Sequence, residues 1–149
     1  CNFPAYAQGD SELASFMIKG AALPSSVVAP IEMAFRGRKL KIAGDRTFEP
    51  WTITVWNDTG MEIRNAFERW MNAMNSHVAN EGLSSPTLYQ TDMLVEQLDR
   101  AGQVTKSYNI RGAFPTNIQA IELNYETNDA VEDFTVELSY QYWESTTTT

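Results

Sequence analysis

The sequence holds one cysteine and one histidine in 149 residues. A single cysteine excludes an internal disulfide, and together the two exclude a zinc site built from three or four thiolate or imidazole ligands. Basic residues are also few: 11 Lys and Arg stand against 19 Asp and Glu, a formal charge of −8. That deficit argues against a protein that grips nucleic acid through its phosphates. No apolar run approaches the ~20 residues of a membrane-spanning helix, and no membrane anchor is expected. The eight glycines and six prolines are scattered rather than gathered into a linker. No Gly-x-Ser-x-Gly elbow, phosphate-cradling glycine loop or dinucleotide fingerprint occurs. The chain is therefore expected to be no enzyme and to hold no cofactor or metal.

What is present is core-forming material. Four Trp, six Tyr and seven Phe, within a 43% hydrophobic composition, exclude a disordered polar chain. The length suits one domain, expected over residues 1–145, with Thr146–Thr149 a low-complexity tail that frays. The sequence opens at Cys1 without Met or an apolar leader, so it is expected to be processed or incomplete there. A lipid-bearing Cys1 is the other reading, but Asn2-Phe3-Pro4-Ala5-Tyr6 lacks the polar tether that would follow it.

Periodicity points to strands. Phe134, Val136, Leu138, Tyr140 and Tyr142 alternate with Thr135, Glu137, Ser139 and Gln141, giving one dry and one wet face. Upstream, Ile121, Leu123 and Tyr125 alternate with Glu122, Asn124 and Glu126. The turn-like Thr127–Ala130 between them predicts an antiparallel pair. A second hairpin is predicted from Met93–Leu98 to Val104–Arg111, around Asp99–Gln103. Trp51, Ile53 and Val55 mark another strand, and shorter ones are read near Phe16–Lys19, Val28–Phe35 and Lys39–Ala43.

One helix interrupts them. Ile63, Phe67, Trp70, Met71, Met74 and Val78 follow helical spacing, a stripe that reads as core packing. Thr59 and Glu62 predict a capping box, and Asn80-Glu81-Gly82 a stop. His77 falls at the end of this helix, where the dipole accounts for it. Asn57-Asp58-Thr59 matches a glycosylation sequon on three residues alone. Together these elements predict a mainly β fold (β+α), an antiparallel barrel or sandwich with one flanking helix.

The charges are unevenly placed. Arg36, Arg38, Lys39, Lys41 and Arg46, with Asp45, give residues 36–46 a net charge of +4. From Gly112 onward there is no Lys or Arg, and seven acids. Ordinary solubility charge is one reading. The other is a basic segment on one copy that meets an acidic surface on another.

The run Ala43-Gly44-Asp45-Arg46-Thr47-Phe48-Glu49-Pro50-Trp51 resembles the tail tube proteins of contractile-tailed bacteriophages, in which Gly-Asp-Arg-Thr-Phe precedes a strand opening on Trp. Ala21-Ala22-Leu23-Pro24, Gly112-Ala113-Phe114-Pro115-Thr116-Asn117, and Asn128–Glu132 with Phe134-Thr135-Val136 and Tyr142-Trp143-Glu144 agree in order. The resemblance spans about Phe16 to Glu144. It departs at the start, where Asn2–Glu12 is longer and more turn-rich than the family's opening hairpin.

The resemblance implies a structural virion protein: hexameric rings stacked into the inner tube of a contractile tail, assembled in the host cytoplasm. Sheath, baseplate and tail terminator proteins would be its partners, and DNA would pass through the lumen without tight binding. Tube proteins of bacteriocins, extracellular injection systems and type VI secretion are the related alternative, and a small-ligand-binding β-barrel the unrelated one. Arg36, Arg38, Lys39, Lys41, Asp45 and Arg46 are the candidate contacts between subunits or rings. Asp45 and Arg46 alternatively pair within one subunit and hold a loop. Glu122, Asn124, Glu126, Thr135, Glu137, Ser139 and Gln141 are candidate wet-face positions, lining the lumen or facing the sheath. Phe48 and Trp51 are read as core.

Overall fold

A computed structural model describes residues 2–76, 82–121 and 131–147. Its centre is an antiparallel sheet whose dry face is built from alternating positions. Strand β4 (Trp51–Trp56) buries Trp51, Ile53 and Val55, and β7 (Asp133–Ser139) buries Phe134, Val136 and Leu138. The two pair with Ile53 opposite Val136 and Val55 opposite Phe134. Paired residues share a face, so the apolar rows of both strands merge.

The sheet runs β1-β4-β7-β6-β5, with β1 at Ile18–Ala21, β5 at Thr91–Leu98 and β6 at Val104–Ile118. Strand β8 (Tyr142–Ser145) also pairs with β6. The 93–98/104–111 hairpin stands as predicted, closed by Asp99, whose carboxylate accepts from the Ala101 and Gln103 amides. Strand β6 then continues through Gly112 and Pro115. Its first part lies between β5 and β8, and Phe114–Ile118 pairs with β7. At the crossing, Gly112 takes φ +63°, and Gln141 N–H donates to the Arg111 carbonyl at 3.0 Å. The sheet as a whole is curled into a half-barrel.

That course lengthens one strand beyond the expectation. The partner found for Val136–Ser139 on this edge is Phe114–Ile118. Strand β7 carries β4 on its other edge, so Val136–Leu138 have ladder partners on both sides. Residues 122–126 lie outside the described residues. The predicted 134–142 strand also divides: Tyr140 remains buried, but the chain breaks at Tyr140-Gln141 and Tyr142 is exposed.

Helix α2 (Glu62–Met74) covers the dry face with Ile63, Ala66, Phe67 and Trp70. The capping box does not form. Met61 occupies the cap position with φ +52°, and Asp58 rather than Thr59 satisfies the turn, accepting the Thr59 amide at 2.8 Å. The helix ends at Met74, short of the predicted continuation, because Asn75 takes an extended conformation; His77, Val78, Asn80 and Glu81 lie outside the described residues. Asn57 of the sequon donates its side-chain amide to Glu132 and its backbone N–H to the Glu132 carbonyl.

The opening segment forms no hairpin. A 3-10 turn at Ala5–Ala7 leads to helix α1 (Ser11–Met17), where a strand was expected from Phe16. Asp10 caps it, accepting from the Glu12 and Leu13 amides at 2.9 and 3.1 Å, as an acidic cap should. Phe3 packs edge-on against Phe67 and Trp70.

Candidate assembly interface

Strands β2 (Val27–Phe35) and β3 (Arg38–Thr47) form a separate two-stranded sheet. They pair with each other and with no other strand among the described residues. Arg36 and Gly37 make the two-residue turn with φ +46° and +76°, the left-handed pair that matches strand twist in tight hairpins. Nearly every residue of both strands is exposed.

Register sorts the side chains onto two faces. Ile31 opposes Ile42, Met33 opposes Leu40 and Phe35 opposes Arg38. The other face holds Glu32 opposite Lys41 and Ala34 opposite Lys39, with a 3.0 Å salt bridge from Lys39 to Glu32. The basic run 36–46 is therefore split by the period-2 strand. Lys39 and Lys41 share the polar face, Arg38 ends the apolar row, and Arg36 sits at the tip with its guanidinium 5.4 Å from the Phe35 ring centre.

The apolar row was not anticipated. Ile31, Met33, Phe35, Leu40 and Ile42 are between 43% and 60% exposed. Their alternation with Glu32, Ala34, Lys39 and Lys41 was the available signal. An isolated two-stranded hairpin is marginal in water, and a contiguous exposed apolar face marks a surface that another protein covers. At about 1.5–3 kcal/mol for burying a large apolar side chain completely, covering the remaining half of these five would stabilise a complex by about 4–8 kcal/mol before association costs.

A bulge near the root replaces the expected loop. Val28 pairs with Arg46 and Pro30 with Ala43, so Gly44 and Asp45 stand against Ala29 alone. A Cβ on Gly44 would lie 2.5 Å from the Ala29 carbonyl oxygen and 2.9 Å from Ile31 Cγ1. That close approach accounts for glycine here. Asp45 and Arg46 are strand residues, and no salt bridge joins them among the described residues. Trp51 is core, and Phe48 packs half-buried against it.

The wet-face residues separate as well. Thr135, Glu137 and Ser139 share the outer face of β7, where Asn117 donates to Glu137 at 3.4 Å. Lys19 bridges Asp133 at 3.0 Å across β4. Gln141 lies past the end of β7, beside Gly112, and does not continue the row. Glu122, Asn124 and Glu126 lie outside the described residues.

Comparison with known proteins matches this architecture. The chain is 36% identical over 131 residues to the tail tube protein gp19 of Enterobacteria phage T4, covering 87% of this chain and 80% of that one. Among solved structures, the tube-terminating cap of the anti-feeding prophage superposes with a TM-score of 0.69 at 20% identity, covering 97% and 91% of the two chains. The sheath/tube terminator of an extracellular contractile injection system, PVC, gives 0.66 at 17% identity, covering 86% and 84%; at such identities the likeness is one of fold. A family model described as phage tail tube protein matches residues 3–146, and with the relationship to the T4 protein this places the chain in the phage tail tube protein family.

Proposed function

We propose that this chain is the structural, non-catalytic subunit of the inner tube of a contractile phage tail. Six copies close a ring, rings stack, and the β2–β3 hairpin joins one subunit to the next. The observation that carries the reading is an amphipathic hairpin whose apolar row stays exposed among the described residues. A closed ring also removes the exposed edges that β1 and β5 leave on the curled sheet. In this reading the basic residues 36–46 meet acidic surface on a neighbouring copy, because a head-to-tail contact joins unlike surfaces. Sheath, baseplate and terminator proteins are its partners in a virion assembled in the host cytoplasm.

The outer face of β4 and β7 is the proposed lumen. It offers Thr52, Thr54, Thr135, Glu137 and Ser139, and Lys19 on the adjoining β1 is matched by Asp133. Such a wall lets DNA slide, where cations would hold phosphates. A charge of −8 per chain becomes about −48 in a six-membered ring, which acts in the same direction.

The test is Arg38→Glu with Lys41→Glu. Purified double variant should remain a folded monomer and form neither six-fold rings nor tubes by negative-stain microscopy, while the parent chain forms both. Tubes of parental length and abundance from the variant would overturn the reading.

A further inference from the structure

The hairpin's direction is set at its root. No ladder ties β2 or β3 to the main sheet among the described residues, so its orientation rests on two short irregular legs, 22–26 and 48–50. At about 3.3 Å per residue, nine residues reach roughly 30 Å from that root. A swing of about 10° at the base moves the tip by about 5 Å, the spacing of neighbouring strands. A hairpin that must meet a second subunit in register needs a stiff root.

Four aromatic side chains provide it. Trp51 Nε1–H donates to the Ala22 carbonyl at 2.6 Å. The Ser25 carbonyl accepts twice, from the Tyr140 hydroxyl and from Trp143 Nε1–H, each at 3.2 Å. Between these carbonyls Pro24 is buried. On the outgoing leg, Phe48 packs its ring against Tyr140 with centres 5.8 Å apart. Tyr140 therefore holds both legs, one by its hydroxyl and the other by its ring. Trp143 is braced in turn by Tyr108, edge to face at 5.5 Å.

Tyr140 lies in the break that separates β7 from β8, and Trp143 lies in β8 just beyond it. The root is thereby tied to the stretch where β6 passes from β8 to β7. Each carbonyl oxygen has two lone pairs, so two donors saturate Ser25 and leave its peptide one orientation. Burial, and then the charge of Glu49, push the Tyr140 hydroxyl above its ordinary value, which keeps it a proton donor.

We infer that Tyr140 and Trp143 are positioning residues for assembly: by sharing the Ser25 carbonyl they aim the β2–β3 hairpin at the neighbouring subunit. The inference rests on the hairpin being the assembly element. It explains why residues far apart in sequence, at Ala21–Pro24, Phe48–Trp51 and Tyr142–Glu144, act at one place.

The variants are Tyr140→Phe, which removes one oxygen and keeps the ring on Phe48, and Tyr140→Phe with Trp143→Phe. Spin labels at Lys39→Cys near the tip and Glu96→Cys on β5, in a Cys1→Ser background, report the hairpin's angle by pulsed electron resonance. The distance distribution should at least double in width in the double variant and widen less in the single one. The protein concentration needed for tubes should rise about tenfold. A core variant of equal melting temperature, Val136→Ala, should keep the narrow distribution, because destabilisation alone does not free the root. An unchanged width in the double variant overturns the inference, as does a broad width with parental assembly. Parental tubes from Arg38→Glu with Lys41→Glu overturn instead the assembly reading beneath it, whatever the widths show.

Discussion

Ile31 sits directly across the hairpin ladder from Ile42, and the two side chains are 53% and 43% exposed. A cross-strand isoleucine pair is what a sheet buries against its core, yet here the pair points away from its own chain. Replacing both by Asp removes apolar surface of which about half stays exposed among the described residues. The monomer's melting temperature should stay within a few degrees of the parent, since exposed substitutions away from packed features change stability by about 0.5 kcal/mol or less. Tube formation should be abolished, because each ring contact would then bury uncompensated carboxylates. Calorimetry of the monomer and negative-stain counts of tubes check the two halves separately.

Gly44 supplies a second prediction with a different mechanism. Alanine there drives a methyl group to within 2.5 Å of the Ala29 carbonyl oxygen, which is backbone and has little room to give. The bulge should open or shift by one residue. A one-residue slip turns every side chain of one strand to the opposite face, so the apolar row would be broken without altering its composition. Gly44→Ala is expected to leave the main sheet intact while reducing assembly severely. Cross-strand backbone nuclear Overhauser contacts between 28–31 and 42–46 would show the slip directly, and parental contacts with parental tubes would contradict it.

The sequence made some of this legible, for physical reasons. Strands β4, β5 and β7 and helix α2 were readable because one face of each is buried by its own chain, which imposes period 2 or 3.6 on the residues. Strand β6 was read too short. The expected strand ended at Arg111, whereas a positive φ at Gly112 and a bulge between Pro115 and Asn117 carry one strand on to Ile118. Helix α1 was missed because seven residues give too few turns for a period, although Asp10 ahead of Ser11-Glu12 was a usable cap signal. The hairpin's alternation was visible, but alternation does not say which molecule covers the apolar face. A single chain's sequence records that a strand is half-buried, not by whom.

Trp70 ties the helix to the short helical turn Pro86–Tyr89 that precedes β5. It is fully buried, lies parallel to Phe67 at 6.2 Å, and donates its indole N–H to the Tyr89 carbonyl at 2.7 Å. Trp70→Phe would leave a cavity and an unsatisfied carbonyl together. The combined cost is expected at about 2–4 kcal/mol, or roughly 5–15 °C in melting temperature for a chain of this size. Trp70→Leu should cost more by losing the ring contacts as well. Because the hairpin root is untouched, Trp70→Phe protein below its melting point should still assemble.

The β5–β6–β8 junction holds a contact whose strength depends on pH. Arg111 donates to Asp92 at 2.7 Å and to Glu144 at 3.3 Å, and the Gly112 amide donates to Asp92 at 3.1 Å. Burial raises the Asp92 carboxyl, but the Arg111 and Gly112 hydrogen bonds and the Arg111 charge together outweigh it, and the net shift is downward. A carboxyl depressed in the folded state binds fewer protons there than in the unfolded chain. Its contribution is therefore full above the ordinary aspartate value of about 4 and is lost as pH falls through the lower folded one. Since Asp92 is more than half exposed, screening should keep the effect modest and make it shrink in high salt. Melting of an assembly-blocked variant, compared at pH 7 and pH 3 with and without Asp92→Asn, isolates the term. The parent should lose more stability on acidification than Asp92→Asn does, and an equal loss in both would assign the acid sensitivity to other carboxylates.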